Sequence, residues 1–146
     1  INGTMYEETD LIQSLKEEVA ALDKLKGMSA KLNIVGHSEG IAEGITMNLV
    51  RIVKEALQNV LKHAGATKVE VSLLADESRL RISIVDNGRG FDTANQILQT
   101  SQEGIRNMKR RAALTASNLL IESQPNKGTK ITTETPLLRK SNEYGF

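Results

Sequence analysis

Apolar residues along this chain change their spacing from segment to segment, and the spacing predicts the elements. Ile12, Leu15, Val19 and Leu22 form an i, i+3, i+7, i+10 stripe, one face of a helix. That helix is expected over residues 4–26. Thr4 and Glu7 have capping-box spacing, Glu7 and Glu8 suit the positive end of the helix dipole, and Gly27 is a natural stop after Lys24 and Lys26. Residues 31–35 predict a strand with Leu32 and Ile34 on one face. After Gly36, Gly40 and Gly44, a long helix is expected from Ile45 to Ala64, with Leu49, Ile52, Val53, Ala56, Leu57, Val60 and Leu61 as its buried stripe and Gly65 as its end.

The period then shifts to two. In residues 68–74, Val69, Val71 and Leu73 alternate with polar neighbours, and in 79–86 Leu80, Ile82 and Ile84 do the same, with Arg79, Arg81 and Ser83 outward. The turn residues Ala75-Asp76-Glu77-Ser78 join them into an antiparallel hairpin. Residues 87–103 are polar and without period, a length of loop that is usually functional. A basic helix follows from Gly104 to about Leu114, then a second hairpin of 119–123 and 129–135 around Pro125 to Gly128, and a tail from 138 to 146. Hairpins grouped with amphipathic helices predict an α+β two-layer sandwich, a mixed sheet of about five strands covered on one face by about three helices. The division expected is an N-terminal helix over 1–29, a catalytic domain over 30–137 and a C-terminal tail over 138–146.

Composition narrows the function. The chain has 146 residues, 39% hydrophobic and 25% charged, which is a globular balance for one domain. Aromatics are 3% and net charge is +1, so neither stacking platforms nor a strong basic field points to nucleic acid, and no nucleic-acid partner is expected. There is no Cys and there are two His, which excludes disulfides, thiol catalysis and Cys-built zinc sites. No run approaches the ~18 apolar residues of a membrane span, so this segment is expected to make no membrane contact. Opening on Ile1, the chain is expected to be a piece of a longer protein.

Candidate chemistry begins at Asp86. Counting by twos from Leu80 through Ile82 and Ile84 lands on it, which aims a carboxylate at the apolar face. An unpaired buried carboxylate is costly, so a partner or a cavity must meet it; the alternative is a register break at Val85, with Asp86 capping the turn. Gly88 and Gly90 then suit a loop that passes close to a ligand, or a plain Asn-Gly turn. Glu55, Asn59 and Lys62 form one stripe at i, i+4 and i+7 beside the apolar face of the long helix. Asn59 is a neutral oxygen ligand suited to Mg²⁺; the alternative is a solvated helix edge. The helix start at Gly104 is a potential anion site, and Thr129 could donate to a ligand or to Asp86. His37 and His63 read as structural hydrogen-bonding residues.

In this order, these motifs resemble the ATP-binding catalytic domain shared by sensor histidine kinases, gyrase, Hsp90 and MutL, the GHKL superfamily with the Bergerat-type ATP-binding fold. Residues 48–64 (Asn-Leu-Val-Arg-Ile-Val-Lys-Glu-Ala-Leu-Gln-Asn-Val-Leu-Lys-His-Ala) are similar to its N box, Asp86 to Phe91 to the first glycine box, Gly104 to Ala112 to the second, and Gly128-Thr129-Lys130 to the glycine-threonine signature of the last strand. The stretch Arg51-Ile52 to Lys62-His63-Ala64 most resembles sensor kinases paired with LuxR-type response regulators.

The resemblance implies ATP and Mg²⁺ as cofactors. Asp86 would accept from the adenine amino group, with Thr129 in support. Asn59 would coordinate Mg²⁺, Glu55 would stand beside the reaction centre, and Lys62, His63, Gly104 and Ile105 would lie near the phosphates. Gly88 and Gly90 would let the backbone pass the nucleotide, and residues 92–103 would be the lid. The implied function is donation of the γ-phosphate to a histidine on a separate phosphoacceptor and dimerisation domain absent from this chain, and onward to a LuxR-type response regulator. The location implied is cytoplasmic, whatever anchors the parent protein. The alternatives are an anti-sigma-factor-type serine kinase of the same fold and a degenerate nucleotide-binding regulator. Two departures stand out. Gln102-Glu103 replaces the usual Gly-x-Gly before Gly104, and Leu114-Thr115-Ala116-Ser117 stands where many members have Gly-Gly.

Overall fold

The computed structural model describes residues 10–91 and 102–138. Asp10 is extended, at φ −94° and ψ 122°, and its side chain accepts from the Ile12 N–H, so it caps a helix α1 that runs Leu11–Asp23. This corrects the expected helix over 4–26, because a helix cannot continue through an extended cap residue; Thr4 and Glu7 lie outside the described residues. The stripe also shifts by one at its start. Leu11, Leu15, Val19 and Leu22 are buried, and Ile12 packs only at the core's margin. Asp23 closes the helix against the sheet by accepting from the Ala30 N–H at 2.8 Å.

Strand β1 (Ser29–Val35) is followed by helix α2 (Glu43–Asn59), whose last α-turn passes into a π turn over Val60–Ala64 and stops at Gly65 in the left-handed region. The hairpins are β2 (Lys68–Ala75) with β3 (Arg79–Asp86) and β4 (Asn118–Ser123) with β5 (Thr129–Pro136), and helix α3 (Gln102–Leu114) precedes β4. The sheet order is β1-β2-β3-β5-β4. β1 runs parallel to β2, because α2 carries the chain across between them, and the other pairs are antiparallel. Among the described residues this is the expected mixed five-stranded sheet with three helices.

Strand alternation supplies one half of the core. Val69, Val71, Leu73, Leu80, Ile82, Ile84 and Ile131 face the helices and are buried. Leu49, Ile52, Val53, Ala56 and Leu57 of α2 and Ile105, Met108 and Ala112 of α3 supply the other half. The opposite sheet face carries polar residues, with Arg81 donating to Glu134 at 2.6 Å and Arg79 pairing with the same carboxylate. Leu61 departs from the expected stripe. It is 50% exposed, because the wider π turn rotates it off the face that Leu57 and Val60 share.

The inward face of β5 is unusually polar for a core. Thr133 and Thr135 are buried there beside Ile131. Thr135 joins a hydroxyl chain through Ser117 to Thr115, which donates to the Ala112 carbonyl at the end of α3. That chain secures the turn into β4, where Ala116 takes φ 54°.

Candidate functional site

Residue Asp86 ends β3 opposite Val69 on one side and Thr129 on the other. The inward count by twos holds to the last residue, and the carboxylate is 7% exposed. One carboxylate oxygen accepts from the Gly88 N–H at 2.8 Å. Burial pushes the carboxyl up from its ordinary value, and the N–H groups of Gly88 and Thr129 pull it partway back. No cation neutralises it among the described residues. An ionised carboxylate has acceptor sites beyond the two that these N–H groups take.

Two loops are fastened together around it. Asn87 anchors the first to the start of β2, its side-chain oxygen accepting from the N–H groups of Thr67 and Lys68 at 2.9 Å each. Gly90 lies at φ 62°, and a Cβ there would stand 2.0 Å from the Gln124 carbonyl, so only glycine lets this loop meet the β4–β5 turn. Gly128 is constrained alike, at φ 76° with a Cβ position 2.1 Å from the Asp86 carbonyl. Ser123 closes the seam. Its Oγ accepts from the Phe91 N–H at 2.9 Å, donates to the Gly128 carbonyl at 3.1 Å, and lies 2.8 Å from the Thr129 Oγ1. A cleft of about 460 Å³ at this end of β3, β5 and β4 reaches Asp86, Ser123, Gly128 and Thr129 and continues to Glu122 and Lys130 on the outer face.

The stripe of α2 runs along the neighbouring side. Glu55 and Asn59 are half-buried, without a hydrogen-bond partner among the described residues, and Lys62 is exposed. A Cβ built on Gly104 would be 2.6 Å from Glu55 Oε2, so the first turn of α3 abuts Glu55. At the other end, a Cβ on Gly65 would be 3.4 Å from the Arg89 guanidinium, so the π turn abuts the glycine loop. Asn59 therefore lies between α3's start and the loop that follows Asp86. The π turn begins immediately after Asn59, a placement common at functional sites.

Three expectations change. Helix α3 begins at Gln102, so Gly104 is inside the first turn and does not open it. Residues 102 and 103 are helix, and the rest of the expected lid, 92–101, lies outside the described residues. Ile105 is 5% exposed and belongs to the core, so only its backbone could face a phosphate. The His63 side chain also lies outside what is described. Sequence reasoning missed Ser123 and the anchoring role of Asn87; a serine at a strand end before Gln-Pro-Asn-Lys-Gly reads as turn material until its register partner, Thr129, is known.

An acid with no cation partner among the described residues, an oxygen-bearing helix stripe and two fastened loops stand together at one end of an α+β domain. Residues 44–139 match the family described as histidine kinase-, DNA gyrase B- and HSP90-like ATPase, and the chain belongs to that family. It is 32% identical over 131 residues to the signal transduction histidine-protein kinase/phosphatase DegS of Brevibacillus brevis, covering 90% of this chain and 33% of that protein. It is 37% identical over 105 residues to the sensor protein VraS of Staphylococcus epidermidis, covering 72% of this chain and 30% of that protein. The chain thus spans about a third of the length of these curated relatives. Among solved structures, the ATP binding domain of PrrB from Mycobacterium tuberculosis superposes with TM-score 0.67 at 23% identity, over 91% of this chain and 96% of that one. The histidine kinase domain of the Erythrobacter litoralis blue-light activated kinase superposes with TM-score 0.71 at 18% identity, over 90% of this chain and 63% of that one. No helix among the described residues is long and apolar enough to cross a membrane.

Proposed function

We propose that this domain binds Mg-ATP and donates its γ-phosphate to a histidine on a separate helical acceptor domain of the same protein, which passes it to a response regulator with LuxR-type output. The observation that carries the reading is Asp86, a buried acid without a cation partner among the described residues. Adenine offers an amino donor on the edge where guanine offers a carbonyl, so the carboxylate selects ATP over GTP. The proposed extent is 30–137, with 1–29 leading toward the acceptor and 138–146 a tail, in the cytoplasm where ATP is supplied.

Asn59 fits a Mg²⁺ ligand: its amide oxygen is neutral and unclaimed among the described residues, and Mg²⁺ takes few protein oxygens besides phosphates and water. Bound there, the ion would neutralise charge on the phosphates. The chain's own work is positioning, which dominates phosphoryl transfer. Lys62, His63 and the N–H groups of α3's first turn, at Gly104 and Ile105, would receive phosphate oxygens. Glu55, beside that turn, would orient the incoming imidazole. Gly88 and Gly90 would carry the backbone past the purine, and Thr129 would support its edge.

Incubation with [γ-³²P]ATP and the parent protein's acceptor domain supplied in trans tests this. The expected product is a labelled acceptor whose phosphate is lost in acid and survives base. An acid-stable label would move the acceptor from histidine to a hydroxyl residue, and no labelling with intact ATP binding would overturn the transfer step.

A further inference from the structure

The groove between α2 and α3 shares no lining residue with the cleft at Asp86. Its volume is about 280 Å³, and buried Met108 lies beneath it. Four cations stand round it, Arg51 and Lys54 from α2 and Arg110 and Arg111 from α3, against one acid, Glu55. The whole chain carries a net charge of only +1, so positive charge is gathered here rather than spread. Lys54 reaches Glu18 of α1 at 3.6 Å. Arg51, Arg110 and Arg111 have no carboxylate partner among the described residues. Instead, Arg110 donates to Asn107 Oδ1 at 2.6 Å and Arg111 donates to Asn48 Oδ1 at 3.1 Å. Neutral amides thus orient two guanidiniums and leave their charge whole. Holding a long side chain in place costs rotamer entropy, and the return here is a set of cations gathered at one space.

We infer that this groove is a second ligand site, for an oligophosphate, inorganic or nucleotide-borne. Guanidinium forks pair bidentately with phosphate oxygens, and three of the four cations are arginines. From Arg51 to Gln58 the groove follows α2 for about 10 Å at the helical rise. A single phosphate does not fill that span, and a short chain of them does. Linked phosphates also bring more oxygens than one carboxylate side chain, enough to serve cations on both helices. Glu55 opposes an anion at its own position, so the chain is expected beside Arg51, Arg110 and Arg111, a helical turn away from that acid. Binding here needs neither Asp86 nor Asn59, so the inference stands apart from the Mg-ATP reading.

The probe is sodium tripolyphosphate, titrated calorimetrically into the chain without Mg²⁺. Wild type is expected to bind it, and Arg51→Gln and Arg110→Gln, on different helices, are each expected to weaken it about tenfold or more, the worth of a charge-assisted hydrogen bond. Lys109→Gln removes the same charge from an exposed position of α3 that does not line the groove, and should change the Kd by less than about twofold. Equal losses from Lys109→Gln and Arg110→Gln would reduce the effect to the general field of the helix and overturn the site. Binding that survives both groove variants, or no binding by wild type at about 1 mM probe, overturns it as well. Hexaglutamate is the competing probe. If it binds more tightly than tripolyphosphate, with the same dependence on Arg51 and Arg110, the groove is a docking face for an acidic protein and the oligophosphate assignment fails. UTP carries the same phosphate chain on a base without an exocyclic amino group. Groove-dependent affinity equal to that of tripolyphosphate supports a free chain, and tighter groove-dependent binding of UTP supports a nucleotide-borne one.

Discussion

Replacing Asp86 by Asn separates what the acid does for the ligand from what it costs the fold. The carboxylate is buried, burial is the largest influence on it, and its resolved hydrogen bond to Gly88 is one that an amide oxygen can also accept. The variant keeps that bond and removes a charge that is poorly solvated in the empty domain. The apo fold is therefore expected to be unharmed or stabilised by about 1 kcal/mol, a rise in Tm of about 3–5 °C for a domain of this size. Nucleotide binding should move the other way. A hydrogen bond to a charged acceptor is worth about 1.5–3 kcal/mol, so losing it should raise the Kd for ATP by roughly 10- to 150-fold. The Asn amide would also bring its own N–H₂ toward the purine amino group, which pushes the loss to the upper end. The preference for ATP over GTP should shrink with it. Thermal melts without ligand and calorimetric titrations of ATP and GTP measure both halves. A variant that melts several degrees below wild type would make Asp86 a structural residue, and an unchanged Kd would remove it from the ligand site.

The same carboxyl predicts opposite pH trends. Its folded value is raised above the ordinary 3.8, so its contribution to stability is fully present below 3.8 and is lost as pH rises through the folded value. The Tm gap between Asp86→Asn and wild type should therefore close as pH falls toward 3.8, while ATP affinity, which needs the ionised form, should weaken over the same window; a gap independent of pH would contradict the assignment. Gly104→Ala places a methyl 2.6 Å from Glu55 Oε2 within a helix turn. Helix propensity should hold apo stability level or raise it by up to about 1 kcal/mol, while phosphate transfer to the acceptor falls at least tenfold as Glu55 is displaced; unchanged transfer would separate Glu55 from the reaction. Ala116, exposed at φ 54°, should tolerate Ala116→Gly with a gain of about 0.5–1 kcal/mol, read as a higher Tm and an unaltered Kd for ATP.

The strands are the most legible part of the chain because period-two alternation survives to the last residue. The row Leu80, Ile82, Ile84, Asp86 is inward in the sequence and inward in the sheet, so alternation alone places the most informative site residue on the correct face. Helix ends are less legible. Asp10 and Thr4 are both acceptable N-caps, and only packing of Leu11 in place of Ile12 distinguishes them. Gln102 and Glu103 have ordinary helix propensity, but a glycine two residues later suggests a later start. Leu61 continues a 3.6-residue pattern that the chain itself abandons at Val60. Ser123 is illegible for a different reason. Its importance comes from cross-strand register, which brings it to Thr129 and Thr129 to Asp86, and no local pattern encodes that pairing.

The π turn after Asn59 has a consequence for anyone who would tidy this backbone. A π turn is a local cost, and helix-favouring substitutions over Val60–Ala64 would let the same five residues run on as α-helix with regular bonds. Tightening those five residues from the wider π turn to about 3.6 residues per turn would over-rotate Lys62 and everything up to Gly65 by several tens of degrees around the axis, carrying them away from Asn59's side and from Arg89. Idealised redesign for thermostability would select that smoother helix, and the better-behaved product would have lost the alignment between its two ends.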